Sequence, residues 1–416
     1  MQVITQPPQP PQPDLAGLPG LRVAMVTETF PPEINGVAMT MGRMVGGLRA
    51  RGHQVQLIRP RQHSAEVAAD EPGFQEILVS GFPIPRYDSL RMGLPAGTAL
   101  ARLWRVNRPD VVHVATEGPL GWSAVSVARR LGIAVASDFH TNFHSYSRHY
   151  GIGWLRRPIE AYLRHFHNRA QVTLVPTDEL QRDLAKAGFR HVAVLSRGVD
   201  TKLFDPRWRD AALRESWGVE PKGRVVLLVG RLAPEKNLEL AIVAFHAMCA
   251  VDPSLRLVLV GDGPQRETLR RRCPGALLAG MRTGTELARF YASADLFLFP
   301  SLTETFGNVT LEAMASGLAV VAFDCAAARA HVRDGINGLL VPVADAARFV
   351  QRATELVATP EKAVGLGREA RATAQALDWE RIHDQFGDLL DGFASNGRRA
   401  DRPGKPDDSG GAGLFV

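Results

Sequence analysis

Short, continuous apolar runs separated by longer amphipathic segments constrain the fold of this chain more than any other feature. Strands that are apolar on both faces are buried on both faces, which is typical of a parallel sheet covered by helices. The runs of the first half are Leu21–Val26, Gln54–Ile58, Asp110–Val114, Ile133–Ser137 and Val172–Val175.

The same pattern restarts after a polar stretch that contains Trp and Pro. Its runs are Val225–Val229, Leu255–Val260, Leu296–Phe299 and Ala319–Phe323. A chain of 416 residues also exceeds the size to which one hydrophobic core usually grows. We therefore predict an α/β protein with two doubly wound, Rossmann-like domains, in which ligands bind beyond the carboxyl ends of the strands.

Composition completes the predicted domain organisation. The Gln-Pro repeats at the N-terminus and the Gly-, Asp- and Arg-rich C-terminus cannot bury a core. The predicted segments are a disordered tail over 1–17, an N-terminal domain over 18–200, an interdomain linker over 201–222, a C-terminal domain over 223–375, an amphipathic helix over 376–394 and a disordered tail over 395–416.

Several protein classes are disfavoured by composition. No stretch reaches the roughly 18 unbroken apolar residues that a membrane-spanning helix needs, and the N-terminus lacks a secretory pattern, so we expect a cytoplasmic protein. Cys249, Cys273 and Cys325 show no CxxC spacing, and we expect buried thiols.

The net charge of +6 is concentrated in the first half of the chain. Residues 21–200 hold 22 Lys and Arg against 15 Asp and Glu. On charge alone, an anionic membrane surface or a nucleic acid would fit this excess. No nucleic-acid motif accompanies it, so we predict no nucleic-acid partner.

Two glutamates flank a predicted helix N-terminus after the run at 296–299. Glu304 lies in the loop, and Glu312 lies in a helix that begins near Gly307. A helix N-terminus offers unpaired N–H groups to a phosphate, and glycine allows close approach of the ligand to the backbone. The carboxylates could accept hydrogen bonds from sugar hydroxyls. Alternatively, they are an ordinary loop glutamate and an ordinary helix glutamate.

Two cations follow the run at 225–229. Arg231 and Lys236 could neutralise a diphosphate as it departs, or they could be surface cations. A third turn, Gly261-Asp262-Gly263-Pro264, also allows close backbone approach, but it lacks the full dinucleotide fingerprint.

With these motifs, the chain resembles glycosyltransferase family 4 over nearly its whole length. The resemblance rests on Gly-Arg-Leu-x-x-Glu-Lys-Asn, on the Gly-Asp-Gly-Pro turn, and on two glutamates separated by seven residues. It implies a GT-B fold and retaining transfer of a hexose from a nucleotide sugar, without a metal or other cofactor. It places Arg231 and Lys236 at the diphosphate. The other donor contacts that it implies are Glu304, Gly307, Asn308, Val309, Glu312, Gly261 and Met281.

The loop after the first run carries Asn35 and Gly36 before an amphipathic helix. Glycine there lets backbone amides face the donor, although a simple turn would look the same. The Asn-Gly-Val form resembles the subgroup of bacterial α-mannosyltransferases and sulfoquinovosyltransferase-like enzymes. That subgroup favours GDP-mannose as donor, with a UDP-sugar as second choice, and a lipid or saccharide as acceptor.

His140 and His144 follow the run at 133–137, behind Asp138. A metal site would need a third ligand, which is not evident. The resemblance places His140 beside the donor sugar, and a structural histidine is the alternative. His144 is the weaker candidate.

A basic, aromatic-rich stretch covers residues 148–169 and is typical of a membrane-surface segment. A basic helix whose apolar stripe packs into the core would have the same sequence pattern. The cations concerned are Arg148, Arg156, Arg157, Arg164 and Arg169.

The resemblance also implies that the C-terminal helix returns to the N-terminal domain and that the leaving diphosphate accepts the acceptor's proton. Two other classes are weighed against this function. The missing dinucleotide fingerprint disfavours a nucleotide-dependent oxidoreductase. The presence of the charged motif residues disfavours a non-catalytic sugar-nucleotide sensor.

Overall fold

The computed structural model describes residues 20–33, 35–84, 87–140 and 156–400. The strands of its first half are β1 (Arg22–Val26), β2 (Gln54–Pro60), β3 (Asp70–Glu71), β4 (Phe74–Val79), β5 (Gly81–Ile84), β6 (Tyr87–Gly93), β7 (Val111–Val114), β8 (Ala134–Asp138), β9 (Val172–Val175) and β10 (Val192–Val194). The helices of this half are α1 (Gly36–Ala50), α2 (Gly97–Val106), α3 (Pro119–Arg130), α4 (Arg156–His167) and α5 (Asp178–Lys186).

Eight of these strands form the N-terminal sheet, in the order β10-β9-β8-β7-β1-β2-β4-β3. Neighbouring strands run parallel except for the short β3, and β5 and β6 form a separate antiparallel hairpin. The order places β1, β7 and β8 side by side near the centre, so the loops that follow them share one edge of the sheet.

The second half contains a six-stranded parallel sheet, in the order β13-β12-β11-β14-β15-β16. Its strands are β11 (Val225–Val229), β12 (Arg256–Val260), β13 (Leu277–Gly280), β14 (Leu296–Phe299), β15 (Ala319–Phe323) and β16 (Leu339–Val341). Its helices are α6 (Ala211–Ser216), α7 (Leu238–Val251), α8 (Arg266–Arg272), α9 (Gly284–Ala292), α10 (Asn308–Ala315), α11 (Ala326–His331), α12 (Ala346–Ala358) and α13 (Pro360–Gln375).

The central strand β11 shows why the apolar runs are continuous. Val225, Leu227 and Val229 pack into the core on one face of the sheet, whereas Val226 and Leu228 pack into the core on the other. Because successive side chains of a strand point to opposite faces, a sheet that is covered on both sides needs an apolar residue at every position. The two doubly wound domains follow the prediction from the sequence.

The chain crosses between the domains at two adjacent segments. Val199 donates its backbone N–H to the carbonyl of Leu377 at 2.9 Å, so the outgoing and returning segments run side by side. The helix α14 (Trp379–Ala400) then packs on the N-terminal sheet. Its buried side chains recur at helical spacing and lie in the N-terminal core: Trp379, Ile382, Phe386, Leu390 and Ala394.

Residues 201–222, predicted as an interdomain linker, pack on the C-terminal domain. Phe204, Trp217 and Val219 are buried in the core of the C-terminal domain, because a connection rich in aromatic side chains gains more by burial than by solvation. Helix α14 also continues through Ala400, past the predicted start of the C-terminal tail at 395. The predicted tail over 1–17 and residues 401–416 lie outside the described residues.

Two neighbouring glycines of α1 differ in their surroundings. A Cβ atom on Gly47 would lie 2.3 Å from the ring of His383 in α14, whereas a Cβ on Gly46 would have nothing within 4 Å. We expect Gly47→Ala to destabilise the protein by about 1–3 kcal/mol through overpacking. The matched control Gly46→Ala should be neutral or stabilising by up to about 1 kcal/mol, because alanine has the higher helix propensity.

Urea unfolding of both variants, followed by circular dichroism, tests this expectation. Equal stability of the two variants would contradict the tight crossing of α1 and α14.

Candidate active site

Lys236 and Glu304 meet at the carboxyl ends of β11 and β14. The Lys236 ammonium forms an ion pair with Glu304 Oε1, and it lies 5.4 Å from the centre of the Phe299 ring. Ser301 also donates its hydroxyl to Glu304 Oε1 at 2.8 Å. Both charged side chains are largely buried, so this pair is held in place more firmly than a surface salt bridge would be.

The backbone of Glu235 ties the two loops together. Its carbonyl accepts the N–H of Leu302 at 3.0 Å and the hydroxyl of Ser301 at 3.3 Å. Its buried carboxylate lies 3.8 Å from the Arg231 guanidinium. Glu235 thus links Arg231, Lys236 and the Glu304 loop, although the sequence did not mark it as a site residue.

The Gly261 turn crosses the loop after β11 at very short range. A Cβ on Gly261 would lie 1.9 Å from the carbonyl oxygen of Gly230, and a Cβ on Gly263 would lie 2.5 Å from that of Leu232. Both glycines also have positive φ angles. The close approach that the sequence predicted at this turn is therefore between two loops of the protein, and it shapes the wall beside Arg231.

Two helix N-termini face each other across the cleft. Gly307, in the left-handed region with φ 87°, begins α10, whose first residues are Asn308 and Val309. Gly36 begins α1, and a Cβ there would lie 3.9 Å from the side-chain nitrogen of Asn308. The two helix N-termini therefore lie close together, and a helix N-terminus favours a bound anion.

Asn35 supports this arrangement with its side chain. Its Oδ1 accepts the N–H of Ala38 at 2.8 Å and caps α1, while its Nδ2 donates to Thr29 Oγ1 at 2.7 Å. The cap fixes the entry of the loop into α1. Asn35 therefore holds Gly36 against the cleft.

Glu312 lies one helical turn into α10 and bonds to a buried tyrosine. The hydroxyl of Tyr291 donates to its carboxylate at 2.9 Å. Burial raises the pKa of Glu312 to about 7, although the tyrosine and the cation of Arg43 act in the opposite direction. Met281 directly follows β13 and is 44% exposed.

His140 does not point freely into the cleft. It is buried, its Nδ1 lies 2.9 Å from the Arg197 guanidinium, and its Nε2 lies 3.0 Å from Asp138 Oδ2. His113 Nε2 lies 3.3 Å from the same oxygen. These histidines hold the pKa of Asp138 well below its usual value despite burial. His144 lies outside the described residues.

A cavity of about 120 Å³ opens between the domains beside Glu304. Its wall includes the carboxylates of Glu179, Asp183 and Glu304. Glu179, on α5 of the N-terminal domain, pairs with Arg329 of α11 and accepts the backbone N–H of Ala326 at 3.4 Å. The two domains are therefore in direct polar contact at this side of the cleft.

The apolar stripe of the basic helix α4 packs into the core of the N-terminal domain. Leu163 and Phe166 are buried, Arg164 donates to the carbonyl of Ala187 at 3.0 Å, and Arg169 stacks on Trp122. Arg157 is exposed. Arg148 and the side chain of Arg156 lie outside the described residues. This packing favours the core alternative for the stripe, and contact with a membrane stays a prediction.

Within residues 20–33, 35–84, 87–140 and 156–400, no helix is both long and apolar enough to span a bilayer. The same residues contain no group of three or more His, Cys, Asp or Glu side chains placed to hold a metal ion.

Comparison with known sequences agrees with this geometry. The family model described as Glycosyltransferase Family 4 matches residues 34–203, and that described as Glycosyl transferases group 1 matches residues 223–359. A GDP-mannose-dependent alpha-mannosyltransferase from Mycobacterium tuberculosis is 37% identical, over 82% of this chain and 88% of that protein. A sulfoquinovosyl transferase from Arabidopsis thaliana is 30% identical, over 86% of this chain and 71% of that protein.

Solved structures show the same fold at lower identity. Sucrose-phosphate synthase from Thermosynechococcus elongatus superposes with a TM-score of 0.75 at 21% identity, covering 90% of this chain and all of that one. HepE from Anabaena, solved with UDP and glucose, gives a TM-score of 0.70 at 18% identity and covers 89% of this chain. With both domains matched and relatives of this similarity, the chain belongs to glycosyltransferase family 4, and it is a glycosyltransferase of the GT-B fold.

Proposed function

We propose that this enzyme transfers a neutral hexose, mannose from GDP-mannose, to a lipid or saccharide acceptor with retention of configuration. The observation that carries the proposal is a chain of contacts: Gly36 of α1 lies beside Asn308 of α10, Gly307 lies against Glu304, and Glu304 pairs with Lys236. Arg231 and Lys236 line one small cavity. Such a site would bind the diphosphate, because backbone N–H groups and two cations all favour negative charge there.

Transfer needs little covalent chemistry from the protein. The bond between the anomeric carbon and the phosphate oxygen breaks, and the acceptor oxygen bonds to that carbon from the same face. Bond formation on the face that the diphosphate leaves retains the configuration, and the departing diphosphate takes the acceptor's proton. Lys236, Arg231 and the helix N-termini would stabilise the charge that develops on the leaving group. Glu304 would orient the sugar by accepting a hydrogen bond from one of its hydroxyls.

The charge of the cavity beside Glu304 supports a neutral sugar. Glu179, Asp183 and Glu304 line this space, and two of them pair with Arg329 and Lys236, so the charge that disfavours a sulfonated sugar there is that of Asp183. Three GDP-mannose-dependent alpha-mannosyltransferases are 33–37% identical, against 30% for the sulfoquinovosyl transferase. A UDP-sugar-dependent glycolipid glycosyltransferase is the second candidate, and the Arabidopsis relative is what favours it.

Binding of nucleoside diphosphates distinguishes the two candidates. We expect GDP to raise the melting temperature more than UDP, since a ligand that binds only the folded state stabilises it by mass action. A thermal-shift panel of GDP, UDP and ADP at equal concentrations measures this difference. A larger shift with UDP would reverse the choice of donor, and no shift with any diphosphate would remove the proposed site.

Lys236 provides the test of leaving-group stabilisation. We expect Lys236→Ala to slow transfer by about 10²–10³-fold, which is typical for the loss of one donor to developing charge. The matched control is Lys222→Ala, which removes an exposed cation of the same domain. The measurement is the rate of hexose transfer from a labelled donor at saturation. Near-normal turnover of Lys236→Ala would contradict the assignment.

Glu312 makes donor binding depend on pH. With a pKa of about 7, the Glu312 carboxyl of the free protein is partly protonated near neutral pH. Ribose hydroxyls need the ionised carboxylate as acceptor, so their binding releases a proton from Glu312. We expect the affinity for GDP to increase as the pH rises from 6 to 8, by up to about tenfold per pH unit below that pKa.

Calorimetric titration at several pH values measures the effect. Glu312→Gln is the matched control, because it keeps the shape and removes the ionisation. Any pH dependence of GDP affinity that remains in Glu312→Gln is assigned to titration of the GDP phosphate. An identical pH dependence in both proteins would exclude Glu312 from the nucleotide site.

A further inference from the structure

Arg197 is a buried cation that stands next to the segment crossing between the domains. Its neighbour Gly198 packs against Trp379, where a Cβ would lie 2.8 Å from the backbone of that residue. Val199 then bonds to the returning segment at Leu377. The position of Arg197 is therefore set by the domain junction, although its side chain reaches back into the N-terminal domain.

The contacts of the His140 ring decide which nitrogen carries its proton. Arg197 has only N–H donors and stays charged, so Nδ1, which lies 2.9 Å from its Nη2, must accept. The proton of a neutral ring is then on Nε2, which lies 3.0 Å from Asp138 Oδ2. A proton on Nδ1 would point at the guanidinium.

The charged groups around this ring come from several elements. Asp138 lies at the end of β8, and His113 of β7 contacts the same carboxylate oxygen. Glu117 follows β7 and attracts a proton to His140, whereas Arg197 repels one. Burial opposes ionisation of the ring and, with Arg197, lowers the pKa of His140 in spite of the two carboxylates.

We propose that Arg197 is a positioning residue that holds His140 as a neutral imidazole with its proton on Nε2. The neutral ring then adds no positive charge beside the donor sugar, where the family resemblance places His140. Arg197 thereby joins the segment after β8 to the domain junction. The consequence for transfer rests on the proposed function, whereas the protonation state of the ring does not.

Nitrogen-15 NMR of histidine-labelled protein tests the proposal without an activity assay. The His140 signals are assigned by their loss in His140→Gln. In the wild type we expect a protonated Nε2, an unprotonated Nδ1 and no titration between pH 6 and 8. A proton on Nδ1 in the wild type would overturn the proposal even if no Arg197 variant folds.

Arg197→Met then removes the cation while keeping a long side chain. Since Asp138 and Glu117 remain, we expect the pKa of His140 to rise until both nitrogens are protonated at pH 6. Arg190→Met is the matched control, because Arg190 is exposed just before β10. It should leave the His140 signals unchanged. If His140 in Arg197→Met showed the same dependence on pH as it does in the wild type, the proposal would also be overturned.

The transfer rate gives a second readout. In Arg197→Met, kcat should fall by about tenfold per pH unit below the new pKa, whereas the wild-type profile shows no such loss from His140. Arg197→Lys retains the charge and one donor, so it should restore the wild-type pH profile. If Arg197→Met and Arg197→Lys both lost transfer rate equally at every pH, the role of Arg197 would be to stabilise the fold, not to set the protonation of His140. If neither GDP-mannose nor a UDP-sugar supports transfer, the NMR result still decides the role of Arg197.

Discussion

The candidate site depends on one steric constraint, the crossing of the loops after β11 and β12. At Gly261 the two backbones approach so closely that any side chain would collide with the Gly230 carbonyl. The loop after β11 also contacts the loop after β14, where the Glu235 carbonyl accepts the N–H of Leu302. The backbone of these loops thus places Lys236 beside Glu304, and the pair is preorganised in the sense that its two charges are already in contact.

The parts of the fold that the sequence predicts are those with a local cause. Strands covered on both faces must be apolar at every position, and β1, β11, β14 and β15 were located on that basis. Strands at or next to the sheet edges were missed: β4 carries Gln75 and Glu76, and β10 and β16 have three residues each. The connection over 201–222 was taken for a linker because its buried aromatic residues are scattered among polar ones.

The residues of the candidate site also separate into those with a local sequence signal and those without one. Lys236, Glu304 and Gly307 follow the carboxyl ends of long strands, where the topology of the sheet gathers ligand-binding groups. The contact of Arg197 with His140 joins residues 57 positions apart, and no periodicity encodes it. One signal was available: Arg197 also follows a strand, β10, but that strand is too short to stand out.

The side-by-side crossing at Val199 and Leu377 has a consequence for the architecture of the chain. Since α14 completes the N-terminal core with Trp379, Phe386 and Leu390, the C-terminal domain is inserted into the N-terminal one. The first domain is thus assembled from both ends of the polypeptide. During synthesis its core stays open at one face until the C-terminal domain has emerged, so the order of translation differs from the order in which the two domains become complete.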